Sequence, residues 1–236
     1  MISTAEYEFN AGLSAPLTLA VVADLHSEDF CGLIDMLKDI SPSAVLCPGD
    51  VIHKASENEA GLDFLRECAR LFPTFCSIGN HEVKHGSDVR PQLRATGATL
   101  LDNEFCSFGG ITIGGLSSGY TVSSVQGRLK KTPPPDLVAM TDFFNADGFR
   151  LLLCHHPEYF RPYLMDKSVD LVVSGHAHGG QWRLFGRGIF APGQGIFPRY
   201  TKGLYNGRLL VSAGLSNKTF IPRIFNPRQL VIIKLK

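Results

Sequence analysis

Eight residues of this 236-residue chain have side chains suited to binding divalent cations, and they recur at one kind of position. They are Asp24 and His26 in "DLH", Asp50 in "PGD", Asn80 and His81 in "GNHE", His155 in "CHHP", and His176 and His178 in "SGHAHGGQ". Carboxylate oxygen, amide oxygen and imidazole nitrogen suit borderline ions such as Mn, Fe or Zn, and no thiolate is required. Eight such groups exceed what one tetrahedral ion needs. They suit two ions about 3.5–4 Å apart that share a carboxylate, clamp a phosphoryl group and supply hydroxide near neutral pH. That chemistry is phosphate-ester hydrolysis.

Each motif closes an apolar run. "LTLAVVADLH", "SAVLCPGD", "TFCSIGN", "FRLLLCHHP" and "VDLVVSGHAH" read as buried strands that end in polar residues. In open α/β sheets the ligand crevice lies beyond the carboxyl ends of the strands, so these distant residues could converge there. Glycine in "PGD", "IGN" and "SGHAHGG" permits a sharp turn beside the candidate ligands. Gly175, Gly179 and Gly180 would shape a tight loop that lets His176 and His178 reach neighbouring ion positions.

The elements between the motifs must hold those strand ends in register. "CGLIDMLKDI" has helical periodicity, and so does "NEAGLDFLRECARLF", with Glu57 or Asn58 near its start and Pro73 beyond its end. Strand–helix–strand order predicts parallel pairing in an α/β layered fold. "ATLLDN", "EFCSFGG" and "ITIGGLS" leave no room for helices and are expected to be antiparallel. "PPPDLVAMTDFFNA" reads as a loop leading to a helix, and "GRLLVSAGLS" and "RQLVIIKLK" add two strands. The expectation is a single domain over residues 1–236, two β-sheets face to face with helices outside.

Composition is that of an ordinary globular protein, 44% hydrophobic and 19% charged. A net charge of +1 gives no strong nucleic-acid signal. Cys31, Cys47, Cys68, Cys76, Cys106 and Cys154 are scattered without a C-x-x-C pair and read as reduced core residues of a cytoplasmic protein. No apolar run reaches the ~18 residues of a membrane helix. "MISTAEYEFN" lacks the layout of a secretory signal.

The ordered set D-x-H, G-D, G-N-H-[DE], H, G-H-x-H resembles the calcineurin-like metallophosphoesterase superfamily. Here it reads "DLH" at 24–26, "GD" at 49–50, "GNHE" at 79–82, "H" within "CHHP" and "GHAH" at 175–178. "GHAHGGQ" is similar to a subgroup of small bacterial-type phosphohydrolases often tethered to membranes. The resemblance implies a four-layer α/β/β/α sandwich of two mixed sheets, with a dinuclear site between them. It implies Asp24, His26 and His178 on one ion, Asp50 bridging, and Asn80, His155 and His176 on the other. His81 would give a proton to the leaving oxygen or stabilise charge on the phosphoryl oxygens, with Glu82 orienting it.

Other residues have plainer readings. His156 is the alternative ligand to His155. His53, in "GDVIH", reads as a helix-start or loop residue, His85 as a surface-loop residue and Cys154 as core. Residues 117–135, with Arg128, Lys130 and Lys131, form a loop that could meet a second phosphate or stay solvated. Residues 183–205 mix Gly, Phe, Tyr and Arg and fit neither helix nor strand. They could meet a lipid-bearing substrate or a membrane surface, or close the core under a long loop.

The leading function is a phosphodiesterase or phosphatase acting on a small or lipid-linked phosphate ester. It would use two divalent ions (Mn, Fe or Zn), with peripheral membrane contact as an option and no obligate protein partner. A nuclease of the same superfamily and a silent scaffold that keeps the fold are the alternatives.

Overall fold

A computed structural model describes residues 2–54, 57–84, 88–119, 133–217 and 222–236. Expectations placed on His85, Arg128, Lys130 and Lys131 lie outside them. In the first half of the chain, β1 (Ile2–Phe9), β2 (Leu17–Val21), α1 (Cys31–Ile40), β3 (Ala44–Cys47), α2 (Glu59–Leu71) and β4 (Thr74–Ser77) alternate strand and helix after the N-terminal strand. Two short helices follow, α3 (Asn80–Val83) and α4 (Arg90–Arg94), then β5 (Thr99–Leu101), β6 (Glu104–Phe108) and β7 (Ile111–Leu116). Beyond them come α5 (Thr141–Phe144), β8 (Phe149–Cys154) and β9 (Leu171–Ser174). Two miniature hairpins, β10 (Arg183–Leu184) with β11 (Arg187–Gly188) and β12 (Phe190–Ala191) with β13 (Gly195–Ile196), precede β14 (Gly203–Tyr205), β15 (Leu209–Val211) and β16 (Arg228–Leu235).

The strands build two six-stranded mixed sheets, ordered β1-β16-β2-β3-β4-β5 and β14-β15-β9-β8-β7-β6. Strands β2 to β5 run parallel, as do β7, β8, β9 and β15. Apolar residues on the facing sides, among them Leu19, Val21, Leu46, Phe75, Ile113, Leu151, Leu153 and Val173, form one buried layer between the sheets. The alternate residues pack outward. Ala20, Val45, Cys47 and Cys76 meet Leu33, Leu37, Phe64 and Leu65 of α1 and α2. Leu152, Cys154, Val172 and Val211 meet Met140, Phe143, Tyr159, Phe160 and Leu164 of the other helical layer. The period of two along each strand therefore makes both sheets apolar on both faces, and the four-layer sandwich follows.

The α1 boundaries match the periodic stretch, and the helix ends at Ser41 with a left-handed φ of 49°. Two expectations need correction, and one strand was not foreseen. β5 pairs parallel to β4 in the first sheet, because "ATLLDN" is reached through α4 rather than a hairpin; of these three strands only β6 and β7 pair antiparallel. The N-terminal segment is a full strand, β1, parallel to β16. Its polar residues alternate outward while Tyr7 and Phe9 pack on the inter-sheet core, an edge-strand pattern too polar to stand out. Cys31 is exposed at the start of α1, whereas Cys47, Cys68, Cys76 and Cys154 are buried, and all six thiols are free.

Candidate metal centre

The parallel strands of the two sheets end on one side of the sandwich, and the chemical residues follow directly. Asp24 and His26 follow β2, Asp50 follows β3, and Asn80 opens α3 after β4. His155 follows β8, and His176 and His178 follow β9. Short cross-links tie the turns together. Asp24 N–H donates to the Gly49 carbonyl, His26 N–H to the Asp50 carbonyl at 3.0 Å, and Gly175 N–H to the His155 carbonyl.

Donor atoms from these turns collect in two groups. Asp24, His26 and His178 bring ligand atoms within 4.8 Å of one another, and so do Asp50, His155 and His176. His26 Nε2 lies 3.3 Å from His178 Nε2, and His178 Nε2 lies 3.8 Å from Asp24 Oδ1. His155 Nε2 sits 3.0 Å from Asp50 Oδ2 and 3.2 Å from Asn80 Oδ1. The same Asp50 oxygen is 3.8 Å from His26 Nε2, so it faces both groups. All seven side chains are buried.

Holding them there requires unusual backbone. Asp24, His26, Asp50, His176 and His178 have φ of 53°, 50°, 54°, 65° and 45°. Left-handed backbone is uncommon for any residue with a Cβ, although Asp and His visit it more than most. Five instances on five candidate ligands mark strain concentrated at a functional site. Close backbone approach adds to it. A Cβ on Gly79 would lie 2.5 Å from Asp50 N, and one on Gly175 would lie 2.7 Å from Asp24 Oδ2. Glycine is the residue that fits.

The electrostatics match a cation site. Burial would raise the Asp50 carboxyl, but His155, His81 and His26 outweigh it and hold it well below the ordinary carboxylate range. Burial raises Asp24 to about 6. Burial also holds His26, His176 and His178 well below their ordinary value, and therefore neutral as a metal requires. His155 is raised to about 9, because Asp50 and then Asp24 outweigh its burial. A buried set of carboxylates, one amide oxygen and imidazoles, of which His155 must give up its proton to a cation, fits divalent cations and fits no apolar ligand.

His81 stands at the edge of this set with its side chain 27% exposed and Nε2 4.0 Å from Asp50 Oδ2. Its Nδ1 is 2.6 Å from the His53 carbonyl, and its own N–H donates to Asp50 Oδ1 at 2.8 Å. The structure gives Glu82 backbone partners around Asp50. That carboxylate accepts from the backbone N–H groups of Asp50, Val51, Ile52 and Gly79, at 2.9, 2.9, 3.2 and 2.9 Å. Glu82 sits three residues past Gly79, where a helix start offers free amides, and its oxygens hold the Asp50 turn. His53 occupies a loop, as read, yet its ring stacks on His81 at 5.1 Å and meets His26 edge-on.

Several contributors escaped the sequence reading. Glu158 Oε1 lies 3.2 Å from His156 Nδ1 and 3.8 Å from His176 Nε2, behind the second group of donors. His156 thus joins Glu158 and His176, while His155 joins Asp50. Asn226 donates through Nδ2 to the carbonyls of His178 and Gln181, at 2.7 and 3.2 Å, and fixes the histidine loop. Arg223 donates to the Ser216 and Ala213 carbonyls, and its charge acts on Asp24 and His178. Glu158, two residues past His156 in "CHHPEY", carried no motif of its own, and Asn226 lies 48 residues from its partner.

A two-sheet α/β sandwich with Asp, Asn and His donors on facing strand ends defines a metal-site protein of the phosphoesterase class. The chain belongs to the calcineurin-like phosphoesterase family, whose profile matches residues 17–180. It is 30% identical over 246 residues to the metallophosphoesterase Cj0846 of Campylobacter jejuni, covering 95% of this chain and 60% of that one. It is 30% identical over 191 residues to the phosphodiesterase YaeI of Escherichia coli K12, covering 72% and 64%. The chain thus spans about 60% of the length of the first curated relatives it matches. A solved crystal structure superposes with a TM-score of 0.52 at 12% identity, covering 86% of this chain and 93% of that one, and shares the fold.

Proposed function

We propose that this protein is a divalent-metal-dependent phosphoester hydrolase that favours phosphodiesters. The observation that carries this reading is the double donor set held on left-handed backbone, Asp24–His26–His178 beside Asp50–His155–His176. The first set, and the second together with Asn80, would each hold one ion, with the Asp50 carboxylate between them. When bound, such a pair neutralises charge on a phosphoryl group and lowers the pKa of water. Mn, Fe and Zn all suit these donors.

The chain's own groups do the rest. The His53 carbonyl accepts from Nδ1–H of His81 and so leaves Nε2 facing the cleft. In the imidazolium form, Nε2–H gives its proton to the departing oxygen, and the ring returns to the neutral Nδ1–H tautomer. Glu82 keeps the Asp50 turn in place through its four amide bonds. Similarity to a protein named as a phosphodiesterase supports the diester preference. The substrate would be a small or lipid-linked phosphate ester. Free thiols throughout support a reducing compartment such as the cytoplasm.

The test is turnover of an aryl phosphodiester and the matching monoester, side by side, with added Mn²⁺ and with a chelator. The expected result is chelator-sensitive turnover that favours the diester. No turnover of either ester by protein shown to contain metal overturns the reading.

A further inference from the structure

Charge is divided unevenly along this near-neutral chain. Residues 171–236 contain ten Lys or Arg and no Asp or Glu, whereas residues 1–170 contain thirteen and twenty-two. Exposed apolar side chains share that bias. Eight of the ten large ones exposed among the described residues lie between Trp182 and Phe225. Single exposed apolar residues are ordinary, but a cluster of this kind marks an interaction surface.

The cluster grows directly out of the histidine loop. The β10–β11 hairpin carries Leu184 and a fully exposed Phe185 at its tip, and β13 leads into Ile196 and Phe197. Phe225 directly precedes Asn226, which grips the His178 carbonyl. Backbone contacts join these tips. Trp182 pairs with Ile224, Phe197 N–H donates to the Ile189 carbonyl, and Ile189 N–H donates to the carbonyls of Gly180 and Trp182. A groove of about 440 Å³ lies between the Gly186–Gly188 hairpin and Phe197–Arg199, with Arg187 and Arg199 on its walls. Neither arginine has an acidic residue near it in sequence.

We infer that residues 182–199, together with Ile224 and Phe225, form a docking face for an anionic phospholipid surface, placed at the rim of the candidate metal cleft. Exposed rings set among arginines are the features by which a peripheral protein holds a bilayer, the rings in the acyl boundary and the cations at the lipid phosphates. A nucleic-acid strand would use the arginines and stack on the rings, but Leu184, Ile196 and Ile224 offer it nothing. The aliphatic share of the cluster favours the bilayer. Docked this way, the cleft would face phosphate esters at the lipid surface, which deepens the function proposed above. The docking itself is measured without turnover.

The test is sedimentation with vesicles of phosphatidylcholine alone and of phosphatidylcholine with phosphatidylglycerol, at rising NaCl. Binding is expected to the anionic vesicles only, and it weakens with salt. Arg187→Gln with Arg199→Gln should lower affinity about 25-fold, roughly fivefold per charge removed near the surface. Phe185→Ser, at an exposed hairpin tip, should lower it roughly tenfold or more, with an unchanged melting temperature. The inference is overturned by equal binding to both vesicles, or by anionic binding that neither variant weakens. It is also overturned if an oligonucleotide displaces the protein from vesicles, or if Phe185→Ser converts a solution dimer to monomer while wild type ignores lipid. Loss of diester hydrolysis with intact vesicle binding would count against the proposed chemistry alone.

Discussion

Replacing Gly79 by alanine puts a methyl group into the contact that holds the Asp50 turn against the start of α3. The new Cβ would sit 2.5 Å from Asp50 N and 2.8 Å from Glu82 Oε2. Ordinary contact begins near 3.4 Å, so the turn must retreat by about 1 Å. Neither neighbour is the loose end of a long side chain. Overpacking of this kind costs about 1–3 kcal/mol. The retreat also breaks a charge-assisted bond from Asp50 N–H to Glu82, at about 1.5–3 kcal/mol. A loss of about 2.5–6 kcal/mol follows, a large share of the stability of an ordinary domain. Asp50 moves with its backbone, and a displacement of about 1 Å at a reacting centre costs roughly 100-fold in turnover. The assay is urea unfolding, metal content after dialysis, and turnover of the aryl diester. Gly32→Ala is the control. Gly32 is exposed in α1 with nothing within 4 Å of its added Cβ, so the same change should stabilise by about 0.5–1 kcal/mol. Full metal content and near-normal turnover in Gly79→Ala would refute the claim that steric contact with Gly79 positions Asp50.

Two further outcomes follow from the site. His81→Ala should retain metal and lose roughly 10²–10⁴-fold in turnover of a diester with a poor leaving group, with a smaller loss for a nitrophenolate; equal losses for both would remove the proton from its role. Metal affinity should rise with pH between 6 and 9, because Asp24, raised to about 6, and His155, raised to about 9, each release a proton when a cation takes their lone pairs. Above pH 7 Asp24 is already ionised, so only the ion on the Asp50–His155–His176 set displaces a proton, from His155, and its affinity gains about tenfold per pH unit; calorimetry in buffers of different ionisation heat that finds no proton release would contradict this assignment.

The sequence by itself determined where the strands end and what stands there. Apolar runs followed by Asp24, Asp50, Asn80, His155 and His176 are local patterns, and local periodicity places residues without knowledge of their distant neighbours. Helices α1 and α2 were legible for the same reason, since one apolar stripe specifies each. The tertiary structure decided everything that depends on which groups meet. Glu82 reads as a partner of its neighbour His81, yet buried amides from the Asp50 turn, thirty residues away, claim its oxygens first. Glu158 and Asn226 belong to the site only because the second sheet and the C-terminal segment fold over it. β1 is too polar to announce a strand until β16 supplies its hydrogen bonds. The exposed rings at 182–225 were visible as composition, but composition does not say which side chains a core will cover. Packing left them outside, in the segments next to the candidate ligands His178 and His176.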